Sequence, residues 1–255
     1  MRIAGFRQRM LDGEYLAGTF MKTPAYELVE VLAMSGLDFI CLDAEHSPFD
    51  RGRMDACLAI GRALDFPVLV RVGSGTDENI LQALDSGAVG LVIPHVYDVA
   101  KARAIARAGR FGHHGRGYAG STRWAEFTSK TMPDLLEKSR NETVMIAQIE
   151  EPEGVDAAAD IAAVDGIDGL FVGPADLTVS YGADAGATAK LDAALAAVGA
   201  AAKAHGKAYM SFVANTEKAK DWAKFGMTTF FIASEQSWVM GAARDGAKGI
   251  HDLAK

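Results

Sequence analysis

Short, nearly continuous runs of apolar and β-branched residues recur along the chain, and stretches of helical periodicity separate them. Eight runs read as strands: 15–20, 38–43, 67–72, 89–94, 143–150, 168–173, 207–213 and 229–233. They lack a strict in-out alternation, as parallel strands covered on both faces do. Segment 24–35 reads as a helix with Thr23 as N-cap and Pro24 in the first turn. Further helices are predicted over 50–64, over 77–86 with a stop at Gly87, and over 215–224 from Asn215 to a stop at Gly226. The clearest runs over 188–205, where Leu191, Leu195, Val198 and Ala202 recur at helical spacing and Gly206 follows. Strand-helix alternation repeated eight times predicts an α/β fold, a (β/α)8 TIM barrel spanning 1–255 as one domain. A doubly wound open sheet is the competing arrangement. The irregular stretch 108–131, with two adjacent histidines, is expected to be a long loop.

Composition narrows the setting. The chain has 255 residues, 49% hydrophobic and 23% charged, the balance of a compact globular domain. No apolar run approaches the roughly 18 residues of a membrane span, and the basic N-terminus has no apolar signal core. A net charge of −7 argues against nucleic acid or an anionic membrane as the main partner. Two cysteines, Cys41 and Cys57, make no disulfide framework, and Cys41 sits in a core-like run. A cytoplasmic location is the expectation.

A barrel of this kind carries its chemistry where strands end. Four predicted strands end in charged or polar groups: Asp43-Ala-Glu45-His46, Arg71, Gln148-Ile-Glu150 and Gly173-Pro-Ala-Asp176. Glu150 and Asp176 pointing into one mouth would repel unless protonated or bridged by a cation. Oxygen donors favour Mg²⁺ or Mn²⁺. Co²⁺ is also compatible, whereas zinc fits less well because no nitrogen or sulfur ligand is evident nearby. The competing reading makes each acid a cap of the helix that follows. His46 is a general base near neutral pH or an exposed loop histidine. Asp43 or Asp85 could hold its tautomer. Asp43 could instead close a turn, while Asp85 lies at a helix end where its charge opposes the macrodipole. Arg71, ending an apolar strand, needs a carboxylate from the protein or from a ligand. The turn at Gly173, Pro174, Ala175 and Asp176 presents backbone N–H groups to an anion. A small 2-oxo acid would satisfy both features. Lys22, Lys203 and Lys207 fall outside this charged set, against a Schiff-base mechanism.

Two motifs are set aside. Gly115-Arg-Gly-Tyr-Ala-Gly120 matches a dinucleotide fingerprint but follows no convincing strand. His113 and His114 are adjacent, a poor spacing for one ion. Trp124, Trp222 and Trp238 read as packing or interface residues.

Taken together, Gly36-Leu-Asp-Phe-Ile-Cys-Leu-Asp-Ala-Glu-His46, Arg71, Leu84-Asp-Ser-Gly-Ala-Val-Gly90, Gln148-Ile-Glu150 and Gly166-Ile-Asp-Gly-Leu-Phe-Val-Gly-Pro-Ala-Asp-Leu177 resemble the HpcH/HpaI aldolase family, the metal-dependent class II pyruvate aldolases. The resemblance runs from about Gly18 to the C-terminus. It implies Glu150 and Asp176 as metal ligands, His46 as base with Asp85 raising its basicity, and Arg71 stabilising the enolate. Gln148 and the Ala175 backbone would contact substrate, beside Gly173 and Pro174. It further implies exchange of the last helix between protomers and a homohexamer built as a trimer of dimers. The chain departs from the pattern at Phe20, where many members carry Trp, and at His113 and His114, where prolines are common. Phe212 is bulky for a pocket wall. The expected activity is reversible cleavage of a 4-hydroxy-2-oxo acid to pyruvate or hydroxypyruvate and an aldehyde, through a metal-stabilised enolate. An acyl-CoA lyase of the malyl or citramalyl type and a non-catalytic barrel that binds a small acid are the alternatives.

Overall fold

The computed structural model describes residues 1–184 and 186–254. Eight parallel strands close a barrel in chain order: β1 (Leu16–Met21), β2 (Phe39–Asp43), β3 (Val68–Arg71), β4 (Gly90–Ile93), β5 (Val144–Ile149), β6 (Gly169–Val172), β7 (Ala208–Val213) and β8 (Thr229–Ser234), which pairs back onto β1. Closure leaves no sheet edge, so every strand is buried between the barrel interior and the helices outside. That is why the strand runs are apolar at almost every position.

The interior is filled largely by aromatic rings. Phe231 lies 4.9 Å from both Phe39 and Phe171, and 5.1 Å from Phe20, centroid to centroid. Gly18 makes this possible: paired with Phe39 across β1 and β2, it has no Cβ, and one placed there would fall 2.3 Å from the Phe39 ring. Cys41 is buried in the same layer, and burial raises its thiol pKa; Cys57, on the helical side, is raised to about 11 for the same reason.

The predicted helices form at 51–63, 77–86, 187–204 and 216–223. Asp50 and Asn215 accept the N–H groups of Arg53 and Lys218, and Gly87 ends its helix with φ +116°. The start at Thr23 is corrected. That helix spans Tyr26–Ala33 with no side-chain cap, and the Thr23 N–H is instead taken by the Glu235 carboxylate, 2.6 Å away.

Among the described residues, four further helices of ten residues or more escape the sequence pattern: Arg2–Leu11, Val99–Ala108, Met132–Glu142 and Glu235–His251. The first turns Ile3, Phe6 and Met10 onto the barrel floor, with Phe6 stacked 5.4 Å from Phe39. The last buries only Glu235; Trp238, Val239, Met240 and Ile250 stay exposed along it. No helix of the described residues is long and apolar enough to cross a membrane.

Candidate active site

The strand ends place most of the predicted residues at one mouth. Asp43 and Arg71 are register partners on β2 and β3. Buried Asp43 accepts from Arg71 Nε at 3.0 Å, and its other oxygen lies 2.8 Å from Nη2. Arg71 Nε is also 3.3 Å from Glu45, and the guanidinium stacks 4.5 Å above the Phe20 ring. The anion that Arg71 holds in this state is therefore a protein carboxylate, while Nη1 has no protein partner among the described residues.

His46 projects at the rim with its side chain 59% exposed. Asp43 accepts from its backbone N–H, not from its ring. Among the described residues the ring pairs only with Glu45, Nε2 to Oε2 at 3.7 Å. Asp85 does not reach it. Its Oδ1 accepts from Arg116 at 2.5 Å, and Arg116 is buried between the rings of Phe111 and Trp124, 4.6 and 4.7 Å away. The negative charge at that helix end is thus neutralised from the loop. The glycine-rich 115–120 stretch carries the arginine that does this, and His113 and His114 lie exposed in the same loop.

Across the mouth, Glu150 follows β5 and is 3% exposed. Its Oε1 accepts from the His95 N–H at 2.6 Å, and Oε2 accepts from the Gln148 amide. Both donors are neutral. Burial pushes its pKa up, against those two hydrogen bonds, and nearby Asp176 pushes the same way. Gly173 follows β6, between the two acids. A Cβ there would lie 2.8 Å from Glu150 Cβ, 3.0 Å from its Oε2 and 3.6 Å from Asp176 Oδ2. The missing side chain leaves a cradle faced by both carboxylates. Asp176 sits in the first turn of the helix Pro174–Ser180, whose first i to i−4 bond runs from the Leu177 N–H to the Gly173 carbonyl. The Ala175 N–H precedes that bond. Phe212, on β7, is partly buried and 6.5 Å from Phe20.

Two residues that sequence reasoning left outside this set belong to it. His95, two residues beyond β4, has φ +57° and turns its ring onto three acids. Nδ1 is 2.6 Å from Glu151 and 3.2 Å from Glu150, and Nε2 is 3.6 Å from Glu45. Burial works against its charged form, but the Glu151 hydrogen bond and the fields of the three carboxylates outweigh it, so its pKa is raised. The expectation that no nitrogen donor lies near the acid pair is therefore corrected: one atom each of Glu45, His95 and Glu150 fall within 4.8 Å of one another. Lys22 is the second. It follows β1 directly, with Nζ 3.5 Å from Asp43 Oδ2, so it lies inside the charged set rather than outside it. Looking one or two residues past each strand end would have found both.

The donor set fits a hard divalent cation. Carboxylates predominate, buried Glu150 has only the His95 ring as a cationic neighbour among the described residues, and the buried Oε1 of Gln148 has no hydrogen-bond partner.

A family model described as HpcH/HpaI aldolase/citrate lyase matches residues 16–239. A hydroxypyruvate/pyruvate aldolase of Delftia acidovorans is 32% identical over 93% of this chain and 89% of its own length. One from Roseovarius nubinhibens is 35% identical over 69% of each. The crystal structure of an HpcH/HpaI aldolase/citrate lyase family protein from Burkholderia cenocepacia superimposes with a TM-score of 0.90 at 32% identity, covering 97% of this chain and 99% of that one.

Proposed function

The chain belongs to the HpcH/HpaI aldolase/citrate lyase family, and from that premise we propose that it catalyses the reversible aldol cleavage of 4-hydroxy-2-oxo acids to pyruvate, or hydroxypyruvate, and an aldehyde. One observation carries the reading: a buried carboxylate, Glu150, hydrogen-bonded only by neutral donors, faces a second acid across an open glycine cradle at the barrel mouth. Its relatives named as aldolases of pyruvate and hydroxypyruvate support the substrate class.

Glu150 and Asp176 would hold Mg²⁺ or Mn²⁺, with Glu45 and His95 beside them. Bound there, the ion supplies Lewis acidity toward the keto oxygen of the 2-oxo acid. The remaining work falls to the chain's own side chains. Arg71 offers its unpartnered Nη1 to the oxygen that gains negative charge, and Asp43 fixes the guanidinium plane. In cleavage, His46 takes the proton of the 4-hydroxyl. The C3–C4 bond breaks, its electron pair remains on the three-carbon fragment as the enolate, and the aldehyde departs. The proton then returns to C3. Condensation runs the same steps backward. Glu45, 3.7 Å from the His46 ring, is the carboxylate beside it, the place the resemblance gave to Asp85. Gln148 and the Ala175 N–H orient the carboxylate, and Phe20 and Phe212 form an apolar wall. The uncovered last helix is suited to exchange between protomers in a hexamer.

The test is loss of pyruvate methyl-proton exchange in deuterium oxide, and of aldol turnover, on chelation, with recovery on adding Mg²⁺ or Mn²⁺. Full activity in chelator, together with a borohydride-trapped pyruvate adduct, would refute the reading.

A further inference from the structure

We propose that Lys22 selects the second substrate, binding the distal anionic group of the aldehyde, so that the preferred acceptors carry a carboxylate or a phosphate. The inference rests on the aldolase reading and deepens it.

Position comes first. β1 and β5 are four strands apart in a ring of eight, on opposite sides of the mouth. Glu150 follows β5 and Lys22 follows β1. A 2-oxo acid anchored near Glu150 and Asp176 therefore extends its far end toward the β1 side. Phe20, on β1, and Phe212, on β7, lie 6.5 Å apart on that same side of the ring, and Lys22 is the residue that follows β1.

The state of that ammonium is the second observation. Lys22 is partly buried, with 34% of its side chain exposed, yet its Nζ makes no hydrogen bond to the described protein. Other partly buried lysines are bonded: Lys207 Nζ donates to the Ile167 carbonyl at 2.7 Å and Lys138 Nζ to the Trp124 carbonyl at 3.0 Å. Among the described residues the one charge paired with the Lys22 ammonium is Asp43 Oδ2 at 3.5 Å, and Arg71 already holds that oxygen at 2.8 Å; the Glu235 carboxylate meets Lys22 at its backbone N–H, 3.0 Å away. Three donors at the edge of the mouth thus remain for a ligand. A carboxylate there would gain charge-assisted hydrogen bonds at the loss of only a long ion pair. A neutral aldehyde has nothing to offer them.

Calorimetry on the full chain with Mg²⁺ tests this without turnover. 2-Oxoglutarate and 2-oxopentanoate have the same carbon skeleton and no 4-hydroxyl, and they differ in having a carboxylate or a methyl at the far end. We expect 2-oxoglutarate to bind at least tenfold more tightly, K22Q to remove that preference, and K22R to restore most of it. The ratio of kcat/KM for glyoxylate over acetaldehyde should fall in parallel. An unchanged affinity ratio in K22Q, or equal weakening of both acids, would assign Lys22 to Asp43 alone and overturn the inference. A 2-oxo-acid adduct at Lys22 after borohydride would overturn it as well. Failure of both acids to bind the wild type would instead sink the donor-site reading beneath it.

Discussion

Asp168 and Glu150 are equally buried carboxylates, each 3% exposed, at opposite ends of the barrel. Asp168 precedes β6 at the floor. It accepts from Arg7 Nε and Nη2 at 3.0 and 2.7 Å, from Arg110 Nη2 at 2.7 Å and from the Met145 N–H at 2.8 Å. Two guanidinium groups neutralise it. Glu150, at the mouth, accepts only from an amide and a backbone N–H, and the His95 ring is the one cationic group that the described residues bring to it. Burying a carboxylate is costly unless its charge is paired. The floor meets that requirement with two guanidinium groups, whereas the mouth offers Glu150 only the His95 ring, which Glu45 and Glu151 share. On the proposed reading, that difference marks Asp168 as structural and Glu150 as a metal ligand.

Substitutions should split the two acids. The largest effect is expected from Glu150→Gln. If Glu150 is the proposed metal ligand, its loss should remove several kcal/mol of transition-state stabilisation, on the order of 10³-fold in kcat/KM. Calorimetric metal affinity should drop with it, while the circular dichroism spectrum is retained. Asp168→Asn should do the converse. It strands Arg7 and Arg110, and urea unfolding should register a loss of about 2–3 kcal/mol, discounted from a fully buried pair because both arginines are about a quarter exposed. Metal affinity should not move.

Gly173→Ala places a Cβ into the cradle and should weaken metal binding by about tenfold, the scale at which displacing a ligand's support acts. The smallest effect is in pH dependence. The folded state holds the Glu150 proton more tightly than the unfolded chain does. Metal-free protein should therefore lose stability as pH rises from the ordinary carboxylate range through the raised pKa. Thermal melts with Mg²⁺, or of the Glu150→Gln variant, should lack that slope. A metal-free slope of the opposite sign would contradict the raised pKa.

Much of this was legible in the chain. All eight strands lie within a residue or two of their predicted positions, because burial on both faces leaves an apolar run that needs no partner to be recognised. The strand-end residues Asp43, His46, Arg71, Gln148, Glu150 and Asp176 follow once the barrel is accepted. The helix Arg2–Leu11 was hidden because its four polar or basic positions, Arg2, Arg7, Gln8 and Arg9, mask three buried apolar ones. Lys22 and His95 were missed because errors of a residue or two in strand ends decide which side chain counts as terminal. Asp85 was read as a charge opposing its helix end and was assigned to His46; the group that pairs with it, Arg116, lies 31 residues away in an irregular loop.

By itself the sequence determined the repeating unit, and with it the class of fold and the end of the barrel where polar groups gather. These depend on local periodicity, which neighbours in the chain dictate. Tertiary structure alone decided which charges cancel. Arg71 meets Asp43 through strand register, Thr23 gives its N–H to Glu235 from the far end of the chain, and Asp168 is saturated while Glu150 is not. Coulomb energy falls with distance through space and not along the chain, so the same acid is either a strut or a ligand according to what folding sets beside it.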